Sequence, residues 1–86
     1  DKPSAHTELT HPYCTEFIVK DTAIGARDAK DQLQSMGDSL VIAEGERLLK
    51  IHIHTAHPGM ILETALTWGA LHAIKIDNMT EQHRPG

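Results

Sequence analysis

An α+β domain, with one antiparallel sheet and helices over a single face, is what the sequence predicts. Three observations lead there. Apolar and polar residues alternate over residues 13–20, 48–55 and 74–77; apolar residues recur at helical spacing over residues 24–36 and again after Pro58; and a short glycine-containing connection, "EGER", separates two β-rich runs. At 86 residues the chain allows one small domain with a single core, near the size at which a metal ion or a partner chain becomes a useful source of stability.

Residues 1–12 carry prolines at 3 and 12 and little hydrophobicity, and are read as a linker or N-terminal arm. "YCTEFIVK" follows, rich in aromatic and β-branched residues, with Phe17 and Val19 on one alternate face and Cys14, Glu16 and Lys20 on the other; it is the first strand. Over residues 24–36 Ala26, Ala29, Leu33 and Met36 form an apolar stripe, and Gly37 is placed to end the helix as a left-handed C′ residue. Residues 39–43 and 48–55 read as two strands of a hairpin. Pro58 stands where a second helix can start, and Ile61, Leu62, Ala65, Leu66 and Trp68 make its apolar stripe before Gly69. "LHAIKIDNM" supplies a fourth strand, and residues 80–86 form a polar C-terminal linker. The domain proper is thus residues 13–79 with the order β-α-β-β-α-β, the ferredoxin-like split β-α-β arrangement: a four-stranded antiparallel sheet with two helices on one face. Right-handed crossovers put the first and third strands side by side in its middle.

Composition narrows the function. Apolar residues make up 40% and charged residues 23% of the chain, an ordinary globular balance. The formal charge of -4, with Lys and Arg scattered, argues against nucleic-acid binding by phosphate neutralisation. A single cysteine excludes an intrachain disulfide framework, and no long apolar run suggests a signal peptide or transmembrane segment, which favours a cytoplasmic setting. The polar start at Asp1, without methionine, suggests a domain taken from a longer protein.

The chemistry centres on "KIHIHT". If Leu49, Ile51 and Ile53 face the helices, then Lys50, His52 and His54 face the open side of the sheet. The same alternation on the first strand sends Phe17 and Val19 inward and turns Cys14 and Glu16 onto the face that holds the histidines. A thiol and two imidazoles far apart in sequence are expected to converge there. Zn²⁺ accepts such a nitrogen and sulfur set, and three protein ligands leave a fourth tetrahedral position, for which Glu16 and His11 are nearby candidates. Other readings stand beside this one. Histidines on an exposed sheet face are often solvated polar residues, and a lone cysteine often packs as a small hydrophobe. A catalytic Cys–His dyad lacks an evident pocket or oxyanion donor. His57 is read as capping the second helix or lining the site; His6, His72 and His83 as surface residues; Met36, Met60 and Trp68 as packing residues. An open, partly apolar sheet face is also a natural pairing surface for a second copy.

Taken together and in order, "YCTEFIVK", "GDSLVI", "KIHIHT" with the following "HPG", "ALTWGAL" and "IKIDNMTEQH" resemble the middle domain of the bacterial fatty acid kinase A subunit. Members of that family are multidomain proteins whose first domain is similar to the dihydroxyacetone kinase nucleotide domain. The resemblance runs from about Tyr13 to His83. It implies a parent enzyme of lipid metabolism that uses ATP and Mg²⁺ to phosphorylate a fatty acid presented by a separate fatty-acid-binding B subunit, giving an acyl phosphate. It also implies a zinc site made by Cys14, His52 and His54, and a part in forming a homodimer. This stretch contains neither a glycine-rich phosphate cradle nor an acidic cluster suited to Mg²⁺ and nucleotide, so no catalytic residue is expected in it. The leading expectation is a zinc-binding accessory and dimerisation domain, with the zinc either structural or holding an open position toward the reacting groups. The alternatives are a regulatory small-molecule-binding module without metal and an independent cysteine-dependent enzyme.

Overall fold

Alternation along two central strands decides which residues leave water. In the computed structural model, which describes residues 9–82, the elements are β1 (Tyr13–Lys20), α1 (Ala26–Leu33), a 3₁₀ turn (Gln34–Met36), β2 (Asp38–Gly45), β3 (Leu48–Thr55), α2 (Pro58–Leu66), β4 (Ala70–Asn78) and a single helical turn, α3 (Met79–Gln82). His6, His83, residues 1–8 of the arm and residues 83–86 of the C-terminal linker lie outside the described residues. The four strands make one antiparallel sheet of order β2-β3-β1-β4, so β1 and β3 occupy the centre as expected.

Phe17 and Val19 of β1 and Leu49, Ile51 and Ile53 of β3 are buried, and they form one core with Ala29 and Leu33 of α1, Ile61 and Ala65 of α2, and Trp68. The helices therefore cover the face predicted for them, and Lys50, His52, His54, Cys14 and Glu16 remain on the other. At about 25 cal/mol per Å² of apolar surface withdrawn from water, this layer of β-branched and leucine side chains is the main stabilising contribution. Its two buried polar residues are reconciled with it by hydrogen bonds. Thr55 Oγ1 donates to the carbonyl of Met36 at 2.8 Å and accepts from the amide of His57 at 3.0 Å, tying the end of β3 to the 3₁₀ turn; Thr15 Oγ1 donates to the carbonyl of Tyr13 at 3.4 Å.

Several elements differ from the sequence reading for local reasons. The first helix starts at Ala26 because Thr22 organises the preceding turn, its hydroxyl donating to the carbonyl of Ile24 at 2.8 Å and accepting the amide of Ile24 at 3.2 Å. Its last turn tightens to 3₁₀ and still brings Met36 against the core. Gly37 is not a left-handed cap: its backbone is extended, with φ 173°. Glycine is required there by proximity, since a Cβ would overlap the carbonyl oxygen of His54 and lie 3.1 Å from Ile53 Cγ1. In the hairpin the two-residue loop is Glu46-Arg47, and the left-handed residue is Arg47 (φ 57°), while Gly45 still pairs with Leu48. On α2, Leu66 lies on the solvent side, 54% exposed. Ile76 sits opposite the buried Thr15, on the helix-covered face, yet Ile76 and Ile74 stay substantially exposed because β4 is an edge strand where that cover ends.

Each outer strand also carries a one-residue irregularity. On β2 the pairing passes from Asp38 opposite His54 to Val41 opposite His52, so one extra residue is accommodated, with Ser39 at φ 53°. On β4 the register shifts between the partners of Glu16 and Ile18, with Ala73 at φ 53°. Gly37→Ala should lower stability by about 2 kcal/mol, read as the midpoint of a urea denaturation curve, because the backbone of β3 must move to admit the methyl group. An unchanged midpoint would show that the approach of Gly37 to His54 is not a packing constraint.

Candidate metal centre

The register of β1 and β3 brings together residues that lie far apart in sequence. Cys14 is directly opposite His54, and Glu16 is directly opposite His52. Directly opposed side chains in an antiparallel pair share a face with Cβ atoms about 5 Å apart, and diagonal neighbours remain within reach of long side chains. Here the diagonal contact places Cys14 Sγ 4.0 Å from His52 Nδ1. The imidazoles of His52 and His54, alternate residues of β3, lie with ring centroids 5.0 Å apart and planes tilted by 56°. One ligand atom from each of Cys14, His52 and His54 falls within 4.8 Å of the others, and these three are the residues so grouped among those described. For comparison, a tetrahedral ion with Zn–S of about 2.3 Å and Zn–N of about 2.0 Å sets its ligand atoms roughly 3.4–3.6 Å apart. Side-chain rotation alone closes that difference.

Carboxylates surround the group. Glu16 Oε2 lies 3.2 Å from His52 Nδ1, and Asp38 Oδ1 lies 3.9 Å from His54 Nδ1. The other oxygen of Asp38 accepts from His11 Nδ1 at 3.0 Å. The two residues named from sequence as candidate fourth ligands thus stand behind histidines or beside a carboxylate, outside the three-residue group. The rings are half-buried, with 34% of the His52 side chain and 25% of the His54 side chain accessible, so one side of the group faces solvent.

The thiol responds to this setting. Burial, and then the negative charges of Glu16 and Asp77, push the pKa of Cys14 upward, with Lys75 opposing them weakly. A nucleophilic cysteine needs the opposite, a thiolate stabilised by neighbouring positive charge. The arrangement therefore disfavours the Cys–His enzyme reading and suits a ligand that loses its proton to a cation: a divalent ion at the centre would reverse the sign of the local field.

Two further histidines stand apart from the group. His72 is exposed on β4. His57 occupies the N-cap position of α2, but its side chain makes no capping hydrogen bond; only its carbonyl does, accepting the amide of Met60 at 3.0 Å. It lines a shallow cleft with Thr10, His11, Met36 and Met60, away from Cys14. Trp68 is a core residue whose indole N–H donates to Gln32 Oε1 at 3.1 Å, whereas Met60 is 57% exposed. Sequence reasoning missed Asp38: its position before Ser39 carries no periodic signal, and only the bulge aligns it with His54. No helix among the described residues is long and apolar enough to cross a membrane.

The chain matches a family of FakA-like middle domains, the middle domain of fatty acid kinase A-like subunits, over residues 10–85. It is 32% identical over 81 residues to an uncharacterized protein of Staphylococcus epidermidis, an alignment covering 90% of this chain and 15% of that protein. An uncharacterized protein of Staphylococcus aureus is similar to the same extent, 32% over 81 residues with the same coverage. The chain spans about 15% of the length of these relatives. With nearly its whole length matched by the family, the chain belongs to the FakA-like middle domains of fatty acid kinase.

Proposed function

We propose that this chain is a zinc-binding accessory and dimerisation domain of a fatty acid kinase, with Cys14, His52 and His54 as the metal ligands. The observation that carries the reading is the convergence of one sulfur and two imidazoles, from the two central strands, within 4.8 Å of one another. The donor set suits Zn²⁺, which takes thiolate and imidazole together and, with three protein ligands, keeps one position for water or a further group. Bound there, the ion would link β1 to β3 directly, and in an 86-residue domain such a link is a substantial share of folding stability. The ferredoxin-like reading of the fold belongs to the same proposal and rests on the element order and the central position of β1 and β3.

The parent enzyme, in this reading, transfers phosphate from ATP with Mg²⁺ to a fatty acid held by a separate B subunit, in a domain outside this chain. Family membership supports that assignment, as does the absence from this sequence of a glycine-rich phosphate loop. A homodimer contact is supported by the open sheet face, where Val41, opposite His52, is 61% exposed and stands beside half-buried Ile18 and the histidines.

Three outcomes check these points. Elemental analysis of untagged protein should give about one zinc per chain, and Cys14→Ala, which removes the thiolate, should lower that content sharply; equal zinc in the variant means the ligand assignment is wrong. Because the Cys14 thiol is pushed above its ordinary value, it is protonated near neutral pH and must release that proton to the ion. Zinc affinity should therefore fall about tenfold for each pH unit lowered from neutrality, more steeply where the histidines also protonate, and calorimetry in buffers of different ionisation enthalpy should detect the released proton. Finally, Val41→Lys should shift the chain toward monomer in sedimentation while retaining zinc; a persisting dimer would place the contact elsewhere.

A further inference from the structure

The bulge in β2 has a definite effect on the metal centre. Continued in regular register from Val41 opposite His52, β2 would set Ser39 opposite His54 and Asp38 opposite Thr55, on the buried helix side. The extra residue instead delivers Asp38 to His54 on the open face, at the cost of holding Ser39, a non-glycine residue, at φ 53°. Bulges commonly re-aim a side chain in this way beside functional sites. The delivered carboxylate then spans two rings: Oδ2 accepts from His11 Nδ1 at 3.0 Å, and Oδ1 faces His54 Nδ1 at 3.9 Å. His11 is itself steadied by Thr10, whose Oγ1 lies 3.3 Å from its Nδ1.

We propose that Asp38 is a positioning residue for the metal centre: its carboxylate holds the Nδ1–H of His54, directing Nε2 to the ion, while His11 fixes that carboxylate from behind. The inference rests on the zinc reading above and assigns a residue that reading does not use. Its chemistry is general, because an imidazole that ligates through one nitrogen donates the N–H of the other to a carboxylate, which sets tautomer and ring orientation and raises the basicity of the ligating nitrogen. Coordination makes that N–H more acidic and so strengthens its bond to Asp38. The 3.9 Å separation is about 1 Å longer than a formed hydrogen bond, an adjustment small enough for rotation of an exposed aspartate side chain. Glu16 stands toward His52 in a comparable relation, at 3.2 Å, so each histidine has a carboxylate at Nδ1.

The test uses the full chain with Asp38→Ala and, as a second variant keeping an acceptor oxygen, Asp38→Asn. The side chain of Asp38 is 60% accessible, so both should fold as the parent does by circular dichroism. Competition against a chromophoric chelator should show zinc affinity roughly 10–100-fold weaker for Asp38→Ala, with Asp38→Asn between it and the parent. With Co²⁺ in place of zinc, the thiolate charge-transfer band from Cys14 should persist while the ligand-field bands shift. Nitrogen-15 spectra of the imidazoles should show His54 as the Nδ1–H tautomer in the parent and as a mixture in Asp38→Ala, a readout that a merely structural aspartate would not move. A parent chain that takes up no zinc overturns the metal reading and this inference with it. A parent chain that binds zinc beside an Asp38→Ala chain that binds it equally, with the same His54 tautomer, overturns this inference alone.

Discussion

The antiparallel register of β1 against β3 is the constraint on which the rest of the molecule depends. It sets Phe17 against Ile51 and Val19 against Leu49 in the core, and by the same alternation sets Cys14 against His54 and Glu16 against His52 on the open face. A slip of one residue between these strands would exchange the two faces, burying a thiol, two imidazoles and a carboxylate while exposing the hydrophobic layer. The cost of that exchange, several side chains at a few kcal/mol each, keeps the chemical group assembled even though none of its members contributes to the core.

Electrostatics gives the group its character. Negative carboxylates stand at the edge of a partly buried thiol, raising its pKa, and they also stand at the Nδ1 atoms of both imidazoles. As a set of side chains alone this is mildly unfavourable for a thiolate. Around a divalent cation every one of these effects reverses: the thiolate becomes a ligand, and the carboxylates compensate the charge and orient the rings. The residues that make the thiol a poor nucleophile are the ones that make it a suitable metal ligand, which separates the two chemistries that a cysteine and two histidines suggest on composition alone.

The outer strands adapt to the centre. β2 and β4 each accept an extra residue and a left-handed non-glycine backbone, at Ser39 and Ala73. On β2 this brings an acidic side chain to His54; on β4 it turns His72 onto the open face opposite Ile18. Gly37, squeezed against the carbonyl of His54, lets the chain pass from the 3₁₀ turn into β2 close to the same residue. Three features that look unrelated in sequence, a glycine, a bulge and an N-terminal histidine, therefore meet around one strand end.

Much of this was legible in the residues. Alternation in "KIHIHT" and "YCTEFIVK", helical spacing around Ala29 and Leu33, and the turn before Leu48 were enough to order the elements, to choose the buried face and to bring Cys14 to the histidines, because period-two and period-3.6 patterns report burial directly. What escaped was whatever depends on contacts distant along the chain. Gly37 carries the same letter whether it is a left-handed cap or a site of close approach, and only the packing of β3 against it decides. Leu66, Ile74 and Ile76 have core-forming side chains, but their exposure depends on where the helices stop covering the sheet. Asp38 becomes a neighbour of His54 only through an insertion in strand pairing that leaves no periodic trace. The sequence by itself determined the order of the elements and the face each side chain takes, since these follow from local stereochemistry and hydrophobic alternation; the tertiary structure alone decided the distances among Cys14, His52, His54 and Asp38, since these depend on how separate strands are aligned.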